Sequence, residues 1–313
     1  MAKIVIALGG NALQSRDSAP TAEAQLEVVR QTAERIADLA AAGHQLAIVH
    51  GNGPQVGRIV LASETAKDVV PPMPFDVCGA MSQGYIGYHI QQALRQALAR
   101  RGIDTPVVSL VTQVVVDRND PAFQNPTKPI GAFYTKEEAE ELSRAKGYAM
   151  KEDAGRGYRR VVASPLPRRI VEIREVRTLL DSTIPVTCGG GGIPVAENAD
   201  GSLEGVAAVI DKDFAAELLA EQIDADMLVI LTEVEKVAIH WGKPEQRDLD
   251  RMTLADAERY TAEGHFAPGS MLPKVRACMA FVRANPEKKA LITSLDKAID
   301  ALEGRTGTVV TSA

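Results

Sequence analysis

The feature that most constrains this chain is a repeated one: short, mostly apolar runs that end in glycine clusters. Ile4 to Leu8 runs into Gly9-Gly10-Asn11, Leu46 to Val49 into His50-Gly-Asn-Gly53, and Ile184 to Cys188 into Gly189-Gly-Gly-Gly192. A short apolar run closed by a tight turn is the pattern of a strand buried on both faces. Between the first two runs lies Thr21 to Ala42, where Leu26, Val29, Ala33, Ile36 and Leu39 recur every three or four residues, and Gly43 stands where a C-terminal cap belongs. Strand, glycine loop, helix, strand and glycine loop together predict parallel strands joined by crossover helices.

The rhythm continues. A helix is predicted over Ala80–Arg101, then an extended run from Val107 to Val116. Further strands are predicted at Ile184–Cys188, Met227–Leu231, Leu291–Thr293 and Thr308–Val310, and helices at Phe214–Ile223, Leu254–Glu263, Leu272–Arg283 and Asp296–Glu303. Aromatic residues make up only 4% of the 313 residues, so Ala, Val, Leu and Ile must fill the core. Such a core with many glycines suits doubly wound α/β layers better than a β-sandwich. Residues 117–160 break the pattern, because only Ile130 and Leu142 there come from the Ile, Leu and Val set. That stretch is read as a small protruding subdomain or lid with one helix capped by Thr135 and Glu138.

Composition also narrows the function. A formal charge of −6 with no Lys/Arg cluster argues against gripping nucleic acid. Cys78, Cys188 and Cys278 are far apart and form no CxxC pair, so they read as buried thiols and not as a zinc knuckle or disulfide framework. The opening residues lead into a strand without the features of a signal peptide, and no apolar stretch approaches the ~20 residues of a membrane span. A cytoplasmic protein is expected.

Glycine loops at the carboxyl ends of parallel strands let backbone N–H groups approach an anion, and the helix that follows adds a favourable dipole. Three such loops converging on one sheet edge point to a phosphate-handling site. It uses neither a P-loop, since GxxxxGK[ST] is absent, nor a dinucleotide turn, since Gly51 to Gly57 is one residue too long for GxGxxG. Three lysines in stiff contexts supply positive charge: Lys128 between two prolines, Lys212 where a strand turns into a helix in Val209-Ile-Asp-Lys-Asp213, and Lys274 at a helix start. His50 adjoins a glycine loop and reads as a hydrogen-bonded structural histidine.

Taken in order, Ala7-Leu-Gly-Gly-Asn11, His50-Gly-Asn-Gly-Pro-Gln-Val-Gly57, Asn125-Pro-Thr-Lys-Pro-Ile-Gly131, Gly189-Gly-Gly-Gly-Ile-Pro194, Ala208-Val-Ile-Asp-Lys-Asp213 and Pro268-Gly-Ser-Met-Leu-Pro-Lys274 resemble motifs of the carbamate kinases. Within the wider amino acid kinase family, Pro-Thr-Lys-Pro and Lys151–Tyr158 resemble that group in particular. The resemblance runs from residue 3 to residue 310.

It implies a three-layer αβα sandwich around a mainly parallel eight-stranded sheet, with a single amino acid kinase domain over 1–313. An acid-binding half would span about 1–190 and a nucleotide-binding half about 191–313. It implies catalytic roles for Lys128, Lys212, Asp213 and Lys274, with Asp213 orienting the lysines. Gly9, Gly10, Asn11, Gly51, Asn52 and Gly53 would bind the acid, and Gly190, Gly191, Thr232, Ser270, Met271 and Lys274 the nucleotide. It further implies ATP/ADP with Mg²⁺, carbamate or carbamoyl phosphate as the other reactant, a cytoplasmic homodimer, and a place at the end of arginine or ureido-compound breakdown. Ala238 and Trp241 depart from the family pattern, which leaves the base contacts open. Another amino acid kinase would lack the proline-flanked lysine, and a silent relative would lack a lysine or Asp213.

Overall fold

Alternation along the first strand sets the layers. Ile4, Ile6 and Leu8 point into one apolar cluster while Val5 and Ala7 point into another, and all five are buried. A strand covered on both faces requires a helix layer on each side. The computed structural model, which describes residues 1–15, 19–153 and 155–313, has that arrangement. Its eight-stranded sheet contains β1 (Lys3–Leu8), β2 (Gln45–His50), β3 (Val107–Ser109), β4 (Ile184–Val186), β5 (Met227–Thr232), β6 (Arg251–Thr253), β7 (Lys289–Ser294) and β8 (Thr308–Thr311). They lie in the order β6-β8-β7-β5-β1-β2-β4-β3, and only the β7–β8 pair is antiparallel.

On one face pack α1 (Ala22–Ala41) and α3 (Phe75–Arg100), with the short helix Ala298–Leu302 beside them. On the other pack Ile173–Leu180, α6 (Lys212–Gln222), Leu254–Ala262 and α8 (Met271–Ala284). The chain is therefore a three-layer αβα sandwich, as the resemblance implied. Between β2 and α3 stands α2 (Gly53–Thr65), and Lys136–Lys146 forms α4. Helices α5 and α7 are Ile173–Leu180 and Leu254–Ala262, and α9 is Ala298–Leu302.

The structure corrects the sequence reading in several places. The extended run Val107–Val116 is two strands: Val107–Ser109 joins the main sheet, whereas Gln113–Val116 belongs to a four-stranded sheet with Ile193–Glu197, Leu203–Gly205 and Pro167–Ile170. Gln83 causes the break by pairing with both backbone groups of Thr112, at 2.8 Å to its N–H and 3.1 Å to its C=O. Helix α2 was not predicted. Pro54, awkward in a dinucleotide turn, sits in its first turn, where the missing N–H costs nothing. Helix α3 begins at Phe75, earlier than expected, and the Ile184 strand ends at Val186.

Residues 128–162 build a separate three-stranded sheet, Lys128–Tyr134, Tyr158–Val162 and Met150–Glu152, together with α4. The Thr135/Glu138 capping box is formed, and Gly147 closes the helix in the left-handed region. Of the motif at 151–158, Ala154 lies outside the described residues. This small sheet is pinned to α2. Ile130 is buried among Val56, Val60, Cys78 and Val162. Glu64 of α2 accepts hydrogen bonds from Lys146 at 2.7 Å and from the Tyr148 hydroxyl, and Arg160 lies 3.7 Å above the Tyr148 ring. Gly57, in the middle of α2, meets Gly131 so closely that a Cβ on Gly57 would stand 2.0 Å from the Gly131 Cα. A glycine inside a helix costs about 0.5–1 kcal/mol against alanine, and this backbone contact is the reason for it here.

Candidate active site

Parallel pairing brings the carboxyl ends of the central strands to one edge, with Leu8 level with His50 and with Leu231, and Thr232 level with Ser294. Along this edge lies a cleft of about 1130 Å³. Three helices start at it: α2 at Gly53, α6 at Lys212 and α8 at Met271. Neither Asn52 nor Ser270 caps its own helix with its side chain; at α8 the Leu272 N–H donates to the Ala267 carbonyl at 3.1 Å and Pro273 has none, so the positive end of the dipole there faces the cleft mainly through Met271.

At its base a charge cluster is assembled from two helix starts. Lys212 donates to one oxygen of Asp213 at 2.6 Å and Lys274 to the other at 3.0 Å. Asp213 is 3% exposed at its side chain. Burial acts to raise its pKa, but the two ammoniums outweigh that and hold the carboxyl well below the usual range. Burial likewise opposes the charge on Lys274, and Asp213 more than compensates, so its pKa is raised. For Lys212 burial is the larger influence and its pKa is lowered. The stem of Lys212 lies 3.4 Å from where a Cβ of Gly51 would be, which joins this cluster to the second glycine loop. From the opposite wall Lys128 reaches in and donates to Asp211 at 2.5 Å.

All the site residues expected from the sequence line this cleft except one. Lys128, Lys212, Asp213 and Lys274 are there, as are Gly9, Gly10, Asn11, Gly51, Asn52, Gly53, Gly190, Thr232, Ser270 and Met271. Gly191 is not; a Cβ there would stand 2.2 Å from the Ile210 carbonyl oxygen, so it serves close packing behind the wall. Gly190 lies beside Asn52, well away from any role as a free loop: a Cβ on it would come within 2.2 Å of the Asn52 amide nitrogen. Asn52 in turn donates to the Ser82 hydroxyl at 2.8 Å.

His50 is buried, and burial pushes its pKa down to about 4, so it is neutral near pH 7. Its Nδ1–H donates to the Gly51 carbonyl at 2.9 Å. The three cysteines are free and buried. Sequence reasoning missed Asp211, Arg159, Ser82 and His265. Asp211 had a readable signal, because an aspartate just before a helix is a preferred N-cap. The others come into place only through tertiary pairing.

The sandwich and its lysine-lined edge define a class of phosphotransferase. The chain belongs to the amino acid kinase family, whose model matches residues 2–294. Within that family its similarity is to the carbamate kinases. It is 58% identical over 312 residues to carbamate kinase of Clostridium perfringens, covering 98% of this chain and 99% of that one. It is 56% identical to a carbamate kinase-like protein of Escherichia coli, with 98% of each chain covered. The structure of carbamate kinase from Giardia lamblia bound to AMP-PNP superposes with a TM-score of 0.91 at 43% identity, covering 99% of this chain and 98% of that one.

Proposed function

We propose that this kinase transfers a phosphoryl group reversibly between carbamoyl phosphate and ADP, giving carbamate and ATP. The observation that carries the reading is Asp213 held between Lys212 and Lys274 at the cleft base, with Lys128 entering from the facing sheet. Carbamate as the acceptor is taken from the relatives. In the direction of ATP synthesis, a terminal oxygen of the ADP β-phosphate attacks phosphorus, and the bond from phosphorus to the carbamate oxygen breaks. The carbamate leaves as an anion, so no proton needs to move. That agrees with a site of lysines and backbone N–H groups in which the nearby histidine is buried and neutral. Catalysis is then positioning and charge stabilisation.

Gly9, Gly10, Asn11, Gly51, Asn52 and Gly53 would hold the acyl group, next to the starts of the first short helix and of α2. Thr232, Ser270 and Met271 would hold the nucleotide, with Ala238, His265 and the 61%-exposed Trp241 as the wall for its base. Mg²⁺ would neutralise phosphate charge. Asp211 and Asp213 are already paired with lysines, so the nucleotide's own phosphates are its natural ligands. Residues 117–160 would act as the lid. A homodimer is supported by an exposed apolar face comprising Val77, Met81 and Tyr88 on α3 with Val69, Val70 and Met73 before it. No described helix is long and apolar enough to cross a membrane, and a cytoplasmic location with net ATP synthesis after arginine or ureido-compound breakdown is the role proposed.

The test is a coupled assay with ADP, Mg²⁺ and carbamoyl phosphate, following ATP through a second enzyme. ATP formation that acetyl phosphate does not match supports the assignment. A blank rate, or equal use of both acyl phosphates, removes carbamate as the acceptor.

A further inference from the structure

Asp211, at the N-cap of α6, serves two partners at once. One of its oxygens accepts from the Asp213 backbone N–H at 2.9 Å and caps the helix. The other accepts from Lys128 Nζ at 2.5 Å, across the cleft from the small sheet. Each Asp213 oxygen accepts from one ammonium, Lys212 or Lys274, whereas Lys128 pairs with Asp211. Three ammoniums and two carboxylates therefore alternate along the cleft.

The two carboxylates differ in what they can release. Asp213 and its lysines are nearly closed off, with side chains 3%, 11% and 13% exposed. Lys128 is 31% exposed, on a flexible stem between two prolines, and Asp211 is its one described ion-pair partner. Left alone, such a side chain would sample many rotamers in water. A phosphoryl group entering the cleft repels Asp211 and attracts Lys128, so the ammonium can change partner by side-chain rotation.

We propose that Asp211 is a positioning residue that parks Lys128 over the phosphoryl site in the free enzyme and yields it to a phosphoryl oxygen of the acyl phosphate. This deepens the proposed function, since it rests on Lys128 meeting the transferred group. If Asp211 were a helix cap and nothing more, asparagine would replace it fully, because asparagine caps as well as aspartate.

The test is a double-mutant cycle between Asp211→Asn and Lys128→Ala, assayed as ATP formation. Asp211→Asn is expected to lower kcat about tenfold or more with the KM for ADP unchanged. In the Lys128→Ala background the same change should cost less than twofold. A second readout needs no activity: amide exchange at residues 127–130 of the ligand-free protein should quicken in Asp211→Asn, and also in Asp211→Ser, which keeps a capping oxygen. Equal losses in both backgrounds, or unchanged exchange at 127–130, overturns the proposal. If the unaltered protein fails to use carbamoyl phosphate, the proposed function falls and the exchange measurement still decides the role of Asp211.

Discussion

Replacing Asp213 with asparagine keeps the shape of the cleft base and removes the one charge that two buried lysines share. Breaking a buried ion pair from one side costs about 3–5 kcal/mol, because the partner is left uncompensated. Asparagine can still accept one hydrogen bond, so the lower end of that range is expected in urea unfolding at pH 7. The pH dependence has a defined sign. The folded-state pKa of Asp213 is depressed, so its stabilising effect is fully present above the unfolded value near ~4. It is lost as pH falls through the folded value. The stability gap between the original protein and Asp213→Asn should hold down to about pH 4 and shrink only below it. For turnover, misaligning a donor to a developing oxyanion typically costs 10²–10³ in kcat, roughly 2.7–4 kcal/mol. Two donors hang on Asp213, so a loss of about a hundredfold or more in the coupled assay is expected, with no new acid limb in the pH–rate profile. A kcat within tenfold of the original would show that the lysines keep their places without Asp213, and an acid limb that moves would show that Asp213 titrates as a catalytic acid or base.

Lys128→Ala should lower kcat by orders of magnitude, beyond any loss of stability from unpairing Asp211 as read in urea unfolding; near-normal ATP synthesis would take Lys128 out of the reaction. Gly190→Ala forces a left-handed φ of +67° on alanine and drives its Cβ into Asn52. About 1–2 kcal/mol of backbone cost, added to the roughly 1–3 kcal/mol of an Asn52–Ser82 hydrogen bond disturbed in a buried site, should appear in urea unfolding together with weaker use of carbamoyl phosphate. A loss below about 1 kcal/mol would mean the wall yields at that point. Amide exchange over residues 117–160 should slow markedly when ADP and a carbamoyl phosphate analogue are both bound and little with ADP alone; equal protection in free and doubly bound protein would make the segment a fixed insertion.

The layers were legible because they rest on local periodicity. Thr21 to Ala42 repeats at helical spacing and Ile4 to Leu8 is uniformly apolar, and burial on both sheet faces follows from that. Helix α2 was illegible because Gly53, Pro54 and Gly57 are poor helix formers. Tertiary contact with the small sheet overrides their propensity. The lysines could be picked out by their stiff surroundings, but their counter-ions could not. Asp211 and Lys128 are 83 residues apart in sequence and meet only because the small sheet, packed on α2, faces the start of α6 across the cleft. The four-glycine run was likewise not legible in its packing. Its composition suits a loose anion loop, yet Gly190 and Gly191 are tightly packed against Asn52 and Ile210.

The contact between Gly57 and Gly131 gives the small sheet a bearing and not a free edge. Neither glycine lines the cleft, but one belongs to the helix that begins at the Gly51–Gly53 loop and the other lies three residues beyond Lys128. Backbone touches backbone there, so nothing in the joint can be compressed. A methyl group at position 57 would act as a shim, tilting the strand that carries Lys128 and changing where its ammonium arrives. The spacing between the two walls of the cleft is thus set at a joint that touches no reactant, and a change there would retune the enzyme without altering any group that takes part in the chemistry.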